Sequence, residues 1–160
     1  MKEKLIQEYQ TVSPIEEEEL SLDYEGTKTE IKEEKITEED AQLMNDNDEA
    51  IILNSQGKVA EGSAENIFII KDDIIQTPPL SAGGLEGITR DSIIQIIEEN
   101  GGFVIERDLE RDDLYNADEI FMTGTAAEVK SVTQIDKVKI GTGKMGSVTK
   151  ALQKSFTDVV

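Results

Sequence analysis

The stretch EAIILNSQGKVAEGSAENIFIIKDDIIQTPPLSAGGLEGITRDSIIQI, residues 49–96, decides the fold of this chain. Its first part consists of short β-branched runs separated by turn residues, which is typical of consecutive strands. The sequence from Pro78-Pro79 to residue 97 places four isoleucines on one face of a helix: Ile93, Ile94, Ile96 and Ile97. The stretch therefore predicts strands that lead, through a proline stop, into an amphipathic helix.

The boundaries of these elements follow from the turn residues. We expect a strand at 49–53, ended by the turn NSQG, and two further strands within 58–79 that turn at Asp72-Asp73. The helix is expected over residues 88–102. Thr89 is the expected N-terminal cap, and the two glycines at its end would close it.

Residues 103–160 continue the same alternation. Strands are expected in FVIERDL (103–109), EIFMTG (119–124) and TAAEVKSVTQI (125–135), the last after an initial turn. DDLYNA (112–117) is polar and predicts a turn, and SVTKALQKSFTDVV (147–160) predicts a closing helix. Because strands outnumber helices, the predicted fold class is α/β (mixed α+β), a mixed β-sheet with packed helices.

Charge divides the chain into two parts. Residues 1–50 carry 17 of the 35 acidic side chains and only 5 of the 16 basic ones. Runs such as EEEE at 16–19 more often mark a solvated or disordered segment than a packed one. We therefore expect an acidic, weakly ordered or disordered segment over residues 1–40 and one folded domain over residues 41–160.

The composition excludes several classes of function. The 160 residues include neither cysteine nor histidine, which excludes disulfides, zinc sites built on those residues and triads that use imidazole as the base. We expect no metal site. A net charge of −19 disfavours nucleic acid as a partner.

No apolar run approaches the roughly 18 residues needed to cross a bilayer, so we expect no membrane partner. The N-terminus, MKEKLIQEYQ, has no apolar core of a secretory signal. A cytoplasmic location is the expectation that follows.

Two places share a design suited to an anion. In Gly87-Ile88-Thr89 and in Gly124-Thr125-Ala126, glycine allows close approach of a ligand to the backbone, and threonine adds a hydroxyl donor. Unpaired N–H groups at a helix start favour phosphate or carboxylate. The alternative is that both threonines only cap helices.

Glu61 is a third candidate. It stands in VAEGSAENIF, between two strand-like runs and beside a glycine and a serine. A carboxylate there can meet a protonated ring nitrogen, whereas the alternative is a surface glutamate beside a β-bulge.

Taken together, these motifs resemble one family. Residues 49–96, DLYNADEIFMTGTAAEVKSV and IGTGKMGSVTKALQ are similar, in that order, to the large C-terminal domain of the class IV (fold type IV) pyridoxal-phosphate aminotransferases. The branched-chain amino acid aminotransferases are the nearest branch. The resemblance covers roughly residues 41–160 and implies the D-amino acid aminotransferase-like fold. It also implies transamination of branched-chain amino acids with 2-oxoglutarate through pyridoxal 5'-phosphate (PLP).

The resemblance assigns roles to individual residues. Glu61 would pair with the pyridine nitrogen of PLP, and Leu85 would pack against the ring face. Ile88 and Thr89 would bind the phosphate, as would the hydroxyl of Thr125. The amides of Thr125 and Ala126 would face the substrate carboxylate. An amino acid and a 2-oxo acid are the implied small-molecule partners.

The sequence departs from the family pattern before residue 41. The family's small N-terminal domain, with its arginine for the phosphate, has no visible counterpart. The lysine that holds PLP as a Schiff base normally stands roughly 34 residues before the glutamate equivalent to Glu61, in a K-x-x-x-N-Y run. Counting back reaches Thr27 and its neighbour Lys28, but EGTKTEIKEE contains no Asn-Tyr. We therefore identify no catalytic lysine and do not expect Lys28 to be one.

Two functions remain open. In the first, the chain binds PLP weakly and non-covalently, and its transamination is impaired. In the second, it is a non-catalytic fragment or acidic interaction module that retains half of a PLP site. An exposed face of the large domain would then favour self-association.

Overall fold

The computed structural model describes residues 2–6 and 49–159. The strands are β1 (Lys2–Ile6), β2 (Glu49–Leu53), β3 (Val59–Gly62), β4 (Asn66–Lys71), β5 (Ile74–Thr77), β6 (Val104–Glu106), β7 (Glu119–Gly124), β8 (Glu128–Val132), β9 (Gln134–Ile135) and β10 (Val138–Lys139). The α-helices are α1 (Ile88–Glu99), α2 (Arg111–Asn116) and α3 (Ser147–Val159), and a 3₁₀ turn spans Leu80–Ala82.

The strands form two five-stranded mixed sheets, in the orders β10-β9-β1-β2-β3 and β6-β5-β4-β7-β8. In the first sheet β1 runs parallel to both β2 and β9, and in the second β5 runs parallel to β6. The remaining pairs are antiparallel. The predicted α/β class is confirmed, with the strands divided between two sheets.

The centre of the second sheet is the antiparallel pair β4–β7. Five consecutive residues of β4 are buried, so both faces of this strand are covered, as its apolar sequence NIFII requires. Phe68 stacks on its cross-strand partner Phe121, with ring centroids 4.8 Å apart. The apolar side chains of β4 therefore cover both faces of the second sheet and contribute to two separate cores.

One core lies between the two sheets and the other between the second sheet and helices α1 and α3. The first includes Ile67 and Ile69 of β4 together with Ile51 of β2. The second includes Phe68 of β4, Ile93 of α1 and other helix residues. Alternate residues of β4 thus serve alternate cores, and the end of the strand lies where the two sheets meet.

The region 58–79 contains three strands, so the expectation of two is wrong. The missed strand is β3, whose four residues include Glu61 and break the apolar pattern. Pairing with β2 stabilises β3 as a strand, although the sequence of β3 does not predict one. Asp72 and Asp73 form the expected turn, and Pro78 directly follows β5.

The structure also corrects the start of α1. Gly87, and not Thr89, is its N-cap, so Thr89 lies in the first turn with its side chain buried. At the other end Asn100 is the C-cap, and Gly101 follows at a φ of 80°. That left-handed conformation suits glycine and ends the helix as predicted.

Residues 111–116 form helix α2, where the sequence predicts a turn. Asp113 supports the helix start, since its carboxylate accepts a hydrogen bond of 2.7 Å from the amide of Glu110. Arg107 donates to both oxygens of the same carboxylate, at 2.9 and 3.2 Å. Leu114 is fully buried in the core between the sheets. The helix is therefore held by contacts outside its own sequence.

Strand β1 lies within the first 40 residues, a segment that the sequence predicts to be weakly ordered or disordered. It lies between β2 and β9 in the first sheet. Residues 7–48 lie outside the described residues, so the expectation for the rest of the acidic segment stays a prediction.

We expect Asp113→Asn to destabilise the protein by about 1 kcal/mol at neutral pH, because it weakens the support of the α2 N-terminus. The hydrogen bond from Arg107 holds the pKa of Asp113 below its ordinary value of 3.8. The carboxylate therefore stabilises the fold at pH values above that, and its contribution is lost as pH falls through the lowered pKa.

Urea unfolding at pH 7 and at pH 3 measures this difference. Asp112→Asn, one residue earlier and exposed, is the matched control and should change little. Equal effects of both substitutions at pH 7 would contradict the capping role.

Candidate functional site

A cavity of about 150 Å³ lies where β3, β7 and the start of α1 converge. The residues that line it come from three segments: Glu61, Ser63, Ala64, Glu65 and Asn66; Leu85, Gly87, Ile88 and Thr89; and Thr123, Gly124 and Thr125. These are the AEGSAEN, GGLEGIT and TGT portions of the sequence. Strand pairing and the helix start bring them together from distant positions.

All five residues predicted to bind the cofactor line this one cavity: Glu61, Leu85, Ile88, Thr89 and Thr125. Ala126, predicted to face a substrate carboxylate, follows directly in the turn after β7 and is exposed, but it is not among the lining residues. The sequence motifs therefore converge in space, while their individual roles stay predictions.

The Glu61 carboxylate is oriented by the backbone opposite. Its Oε2 accepts a hydrogen bond of 2.8 Å from the amide of Leu85. Asn66 holds the same residue from the other side, donating from Nδ2 to the Leu85 carbonyl at 2.7 Å. The loop before α1 is thus fixed to both β3 and β4. The Leu85 side chain is 74% exposed and is free to contact a ligand.

Two glycines permit this close approach. A Cβ on Gly84 would lie 3.0 Å from the carbonyl oxygen of Ala60, and one on Gly87 would overlap the Asn66 Oδ1. Any side chain at Gly87 would displace the amide that holds Leu85. Gly84 and Gly87 are therefore required by packing against β3 and β4.

The start of α1 is the first of the two predicted anion sites. The N–H groups of its first turn have no partner within the helix, and the helix dipole makes this end favourable for negative charge. Ile88 is 83% exposed, so the surface around its amide is open to a ligand. Thr89 is only 8% exposed and is one of the residues that line the cavity.

The second predicted anion site is the end of β7. Thr123 is buried, Gly124 is half-buried, and Thr125 is exposed as the chain leaves the strand. A Cβ on Gly124 would lie 2.9 Å from Cγ of Glu65, so this glycine lets the two segments meet. Both anion sites face the same cavity.

The cavity also holds polar atoms without partners. Among the described residues, the buried side-chain oxygens that lack a hydrogen bond are Oε2 of Glu65 and Oγ1 of Thr123, and both residues line this cavity. Buried polar atoms ordinarily have a partner, which here would be a ligand or water. The residues present therefore fit a polar ligand that enters between β3 and β7.

The charge around the cavity is acidic. The described residues that line it include Glu61 and Glu65 but neither lysine nor arginine. Arg90 of the GITR motif points elsewhere, because its guanidinium donates to Glu106 at 2.9 Å and to the Pro78 carbonyl at 3.5 Å. An anionic ligand would be held here by neutral donors and the helix end.

Burial, a hydrogen bond with Glu49 and the charge of that residue together raise the pKa of Glu65 from its ordinary value of 4.5 to about 7. Lys130 acts in the opposite direction. This titration near neutral pH was not predicted from the sequence. Glu65, Asn66 and Thr123 were quoted in the motifs but not singled out, since their roles depend on cross-strand neighbours.

In the described part of the chain, no group of three or more acidic residues is arranged to hold a metal ion. Over the same residues, no helix has the length and apolar character needed to cross a membrane.

The family model for amino-transferase class IV matches residues 24–135. The chain therefore belongs to the class IV aminotransferases. This agrees with the convergence of the three motif segments on one cavity.

Within that class the chain is similar to branched-chain-amino-acid aminotransferases. The Pseudomonas aeruginosa protein of that name is 51% identical over 113 residues, which make up 71% of this chain and 36% of that protein. The Escherichia coli (strain K12) protein is 46% identical over 108 residues, 68% of this chain and 35% of that protein. The chain thus spans little more than a third of the length of these relatives.

Solved structures give the same result. The branched-chain amino acid aminotransferase from Escherichia coli superposes with a TM-score of 0.70 at 43% identity, covering 72% of this chain and 39% of that one. A T.th. branched-chain amino acid aminotransferase with pyridoxamine 5'-phosphate superposes with a TM-score of 0.68 at 46% identity, covering 71% and 38%. The predicted class IV fold is confirmed.

We expect Gly87→Ala to destabilise the protein by about 1–3 kcal/mol, because the new methyl group must displace Asn66 from Leu85. Thermal unfolding measures the loss. Glu86→Ala, at the exposed neighbouring position of the same loop, is the control and should leave stability nearly unchanged. A Gly87→Ala protein as stable as wild type would show that the loop does not need this close approach.

Proposed function

We propose that this chain binds PLP reversibly in the cavity and takes part in transamination of branched-chain amino acids with 2-oxoglutarate. The observation that carries the proposal is the convergence of Glu61, Leu85, Ile88, Thr89 and Thr125 on one cavity with unpartnered polar atoms. The family and the names of the similar proteins support the choice of reaction. PLP, when bound, supplies the electron sink for chemistry at the amino acid Cα.

In this proposal Glu61 binds the pyridine nitrogen. The Leu85 amide holds one carboxylate oxygen, which fixes the direction of the other. An anionic carboxylate at that position stabilises the protonated ring nitrogen. The exposed Leu85 side chain covers one face of the ring.

The phosphate is assigned to the two anion sites. Amides at the start of α1, near Ile88 and Thr89, and the hydroxyls of Thr89 and Thr125 donate hydrogen bonds to it. The amides of Thr125 and Ala126 orient the substrate carboxylate. Such charge-assisted hydrogen bonds are stronger than neutral ones and restrict the ligand to one orientation.

The proposed binding is weak and non-covalent. No lysine or arginine is among the described residues that line the cavity, while two carboxyl groups are. An anion there gains hydrogen bonds but meets unfavourable charge. Lys28 lies outside the described residues, and the prediction that it forms no Schiff base stays a prediction. We accordingly propose impaired transamination by this chain alone.

A non-catalytic role is the second proposal, in which the domain keeps the PLP site as an interaction module. Leu85 and Ile88, 74% and 83% exposed, favour it because they form an apolar rim that a second copy of the chain can cover. Self-association measured by sedimentation, without transaminase activity, would support this role.

Titration with PLP tests the site. We expect reversible binding with a Kd of roughly 10 μM to 1 mM, and removal of the cofactor by dialysis. Thr89→Val and Thr125→Val should each weaken binding about tenfold or more, since each removes a donor to a charged group. Thr157→Val, on the closing helix, is the control and should bind as wild type.

Borohydride reduction with excess PLP, followed by peptide mapping, tests the non-covalent mode. Scattered labelling among lysines agrees with the proposal. Stoichiometric labelling at Lys28, lost together with transaminase activity in Lys28→Ala, would contradict it. Equal affinities for Thr89→Val, Thr125→Val and the control would contradict the cavity assignment.

A further inference from the structure

Glu65 lies at the joint between the two sheets. A Cβ on Gly62, at the end of β3, would come within 3.3 Å of the Glu65 Oε2. A Cβ on Gly124, at the end of β7, would come within 2.9 Å of its Cγ. The side chain is therefore packed between the ends of two strands, each from a different sheet, and each strand end carries a residue of the candidate site.

Glu49 supports the same turn from the other side. Its Oε1 accepts hydrogen bonds of 3.1 Å from the amide of Ser63 and from that of Ala50. A further bond of 3.0 Å joins the Ser63 amide to the Ala50 carbonyl. The turn between β3 and β4 is thus tied to the start of β2 through one carboxylate.

The two carboxyl groups therefore lie at the same turn, Glu65 against Gly62 and Glu49 against Ser63, and hydrogen bonding with Glu49 raises the pKa of Glu65. Two ionised carboxylates cannot share a hydrogen bond, so a bond between these groups requires one shared proton. Among the residues whose side chains the structure describes, the charged groups that shift the pKa of Glu65 are Glu49 of β2 and Lys130 of β8, and they act in opposite directions. Burial is the largest cause that raises the pKa of Glu65 to about 7.

We propose that Glu49 and Glu65 form a one-proton carboxyl pair that positions the β3–β4 turn and the end of β7, so that loss of the proton weakens anion binding in the cavity. Both residues act as positioning residues. Glu49 binds the backbone of the turn, and Glu65, which also lines the cavity, packs against the ends of β3 and β7 that lead to Glu61 and Thr125.

The direction of the effect follows from the charge. With the proton in place, the pair carries one negative charge and keeps its hydrogen bond. Loss of the proton adds a second negative charge beside the cavity and breaks that bond. Anion affinity is therefore highest below about pH 7 and falls above it, where the unpartnered oxygen of Glu65 is ionised.

The pair itself can be tested without any ligand. Carbon-13 carboxyl NMR of the full chain should show Glu65 titrating near pH 7. Glu49→Gln removes the neighbouring charge and should move the Glu65 titration to lower pH. Lys130→Gln removes the opposing cation and should move it to higher pH. Glu98→Gln, on the exposed face of α1, is the control and should leave it unchanged.

The coupling to the site rests on the proposed function and uses PLP as the probe. The quantity to compare is the ratio of the wild-type Kd to the Glu65→Gln Kd. The effect of PLP ionisation on binding is the same for both proteins and cancels in this ratio. We expect this ratio to rise about fivefold between pH 5.5 and pH 8.5, for one added charge at the edge of the site. Glu98→Gln should give a constant ratio.

Each result tests a different part of the proposal. A Glu65 titration near its ordinary value of 4.5, or one that Glu49→Gln does not move, would overturn the pair. A shifted titration with a constant Kd ratio would overturn its control of anion binding. If neither wild type nor Glu65→Gln binds PLP at any pH, the proposed function fails, and the NMR titration still decides whether the pair exists.

Discussion

The antiparallel pairing of β4 with β7 is the constraint on which the rest of the site depends. It places Asn66 opposite Thr123, so the AEGSAEN turn and the TGTAA turn begin at the same edge of one sheet. Because both strands are buried on two faces, a shift of register by one residue would exchange the two cores. The register is therefore fixed by packing, and the positions of the polar residues at the strand ends follow from it.

The same edge is crowded, and this crowding explains the glycines. Gly62, Gly84, Gly87 and Gly124 each lie where a Cβ would press on a neighbouring segment. The atoms they approach belong mainly to β3, to the turn after it and to the start of β4, among them the Ala60 carbonyl, Glu65 and Asn66. Backbone segments of two sheets and one helix can meet around a small cavity only where the residues at the contact points have no side chain of their own. The glycine-rich composition of the motifs is thus a packing requirement as well as a route for ligand access.

The sequence predicts those features that local pattern determines. The apolar runs of β4 and β7 and the isoleucine face of α1 were recognised because their periodicity is strong. Helix α2 was missed because its support comes from Arg107, outside the helix. Strand β3 was missed because it is stabilised as a strand by pairing with β2 and not by its own sequence pattern. Glu61 and Thr125 were found through residue chemistry and family resemblance. Glu65 was missed because its environment is created by Glu49, Gly62 and Gly124, which are separated from one another along the chain.

Arg90 makes the anion site at the start of α1 rigid, which the ligand-facing residues of that site do not do by themselves. Only 3% exposed, it ties the first turn of the helix to Glu106 of β6 and to the chain beside β5. The direction of the helix, and with it the direction of its unpaired amides, is therefore set when the protein folds. A ligand that arrives pays little entropy to organise this half of the site. Discrimination between ligands then depends on how well each one fits a rigid frame, and an anion of the wrong shape cannot recover affinity through movement of the helix.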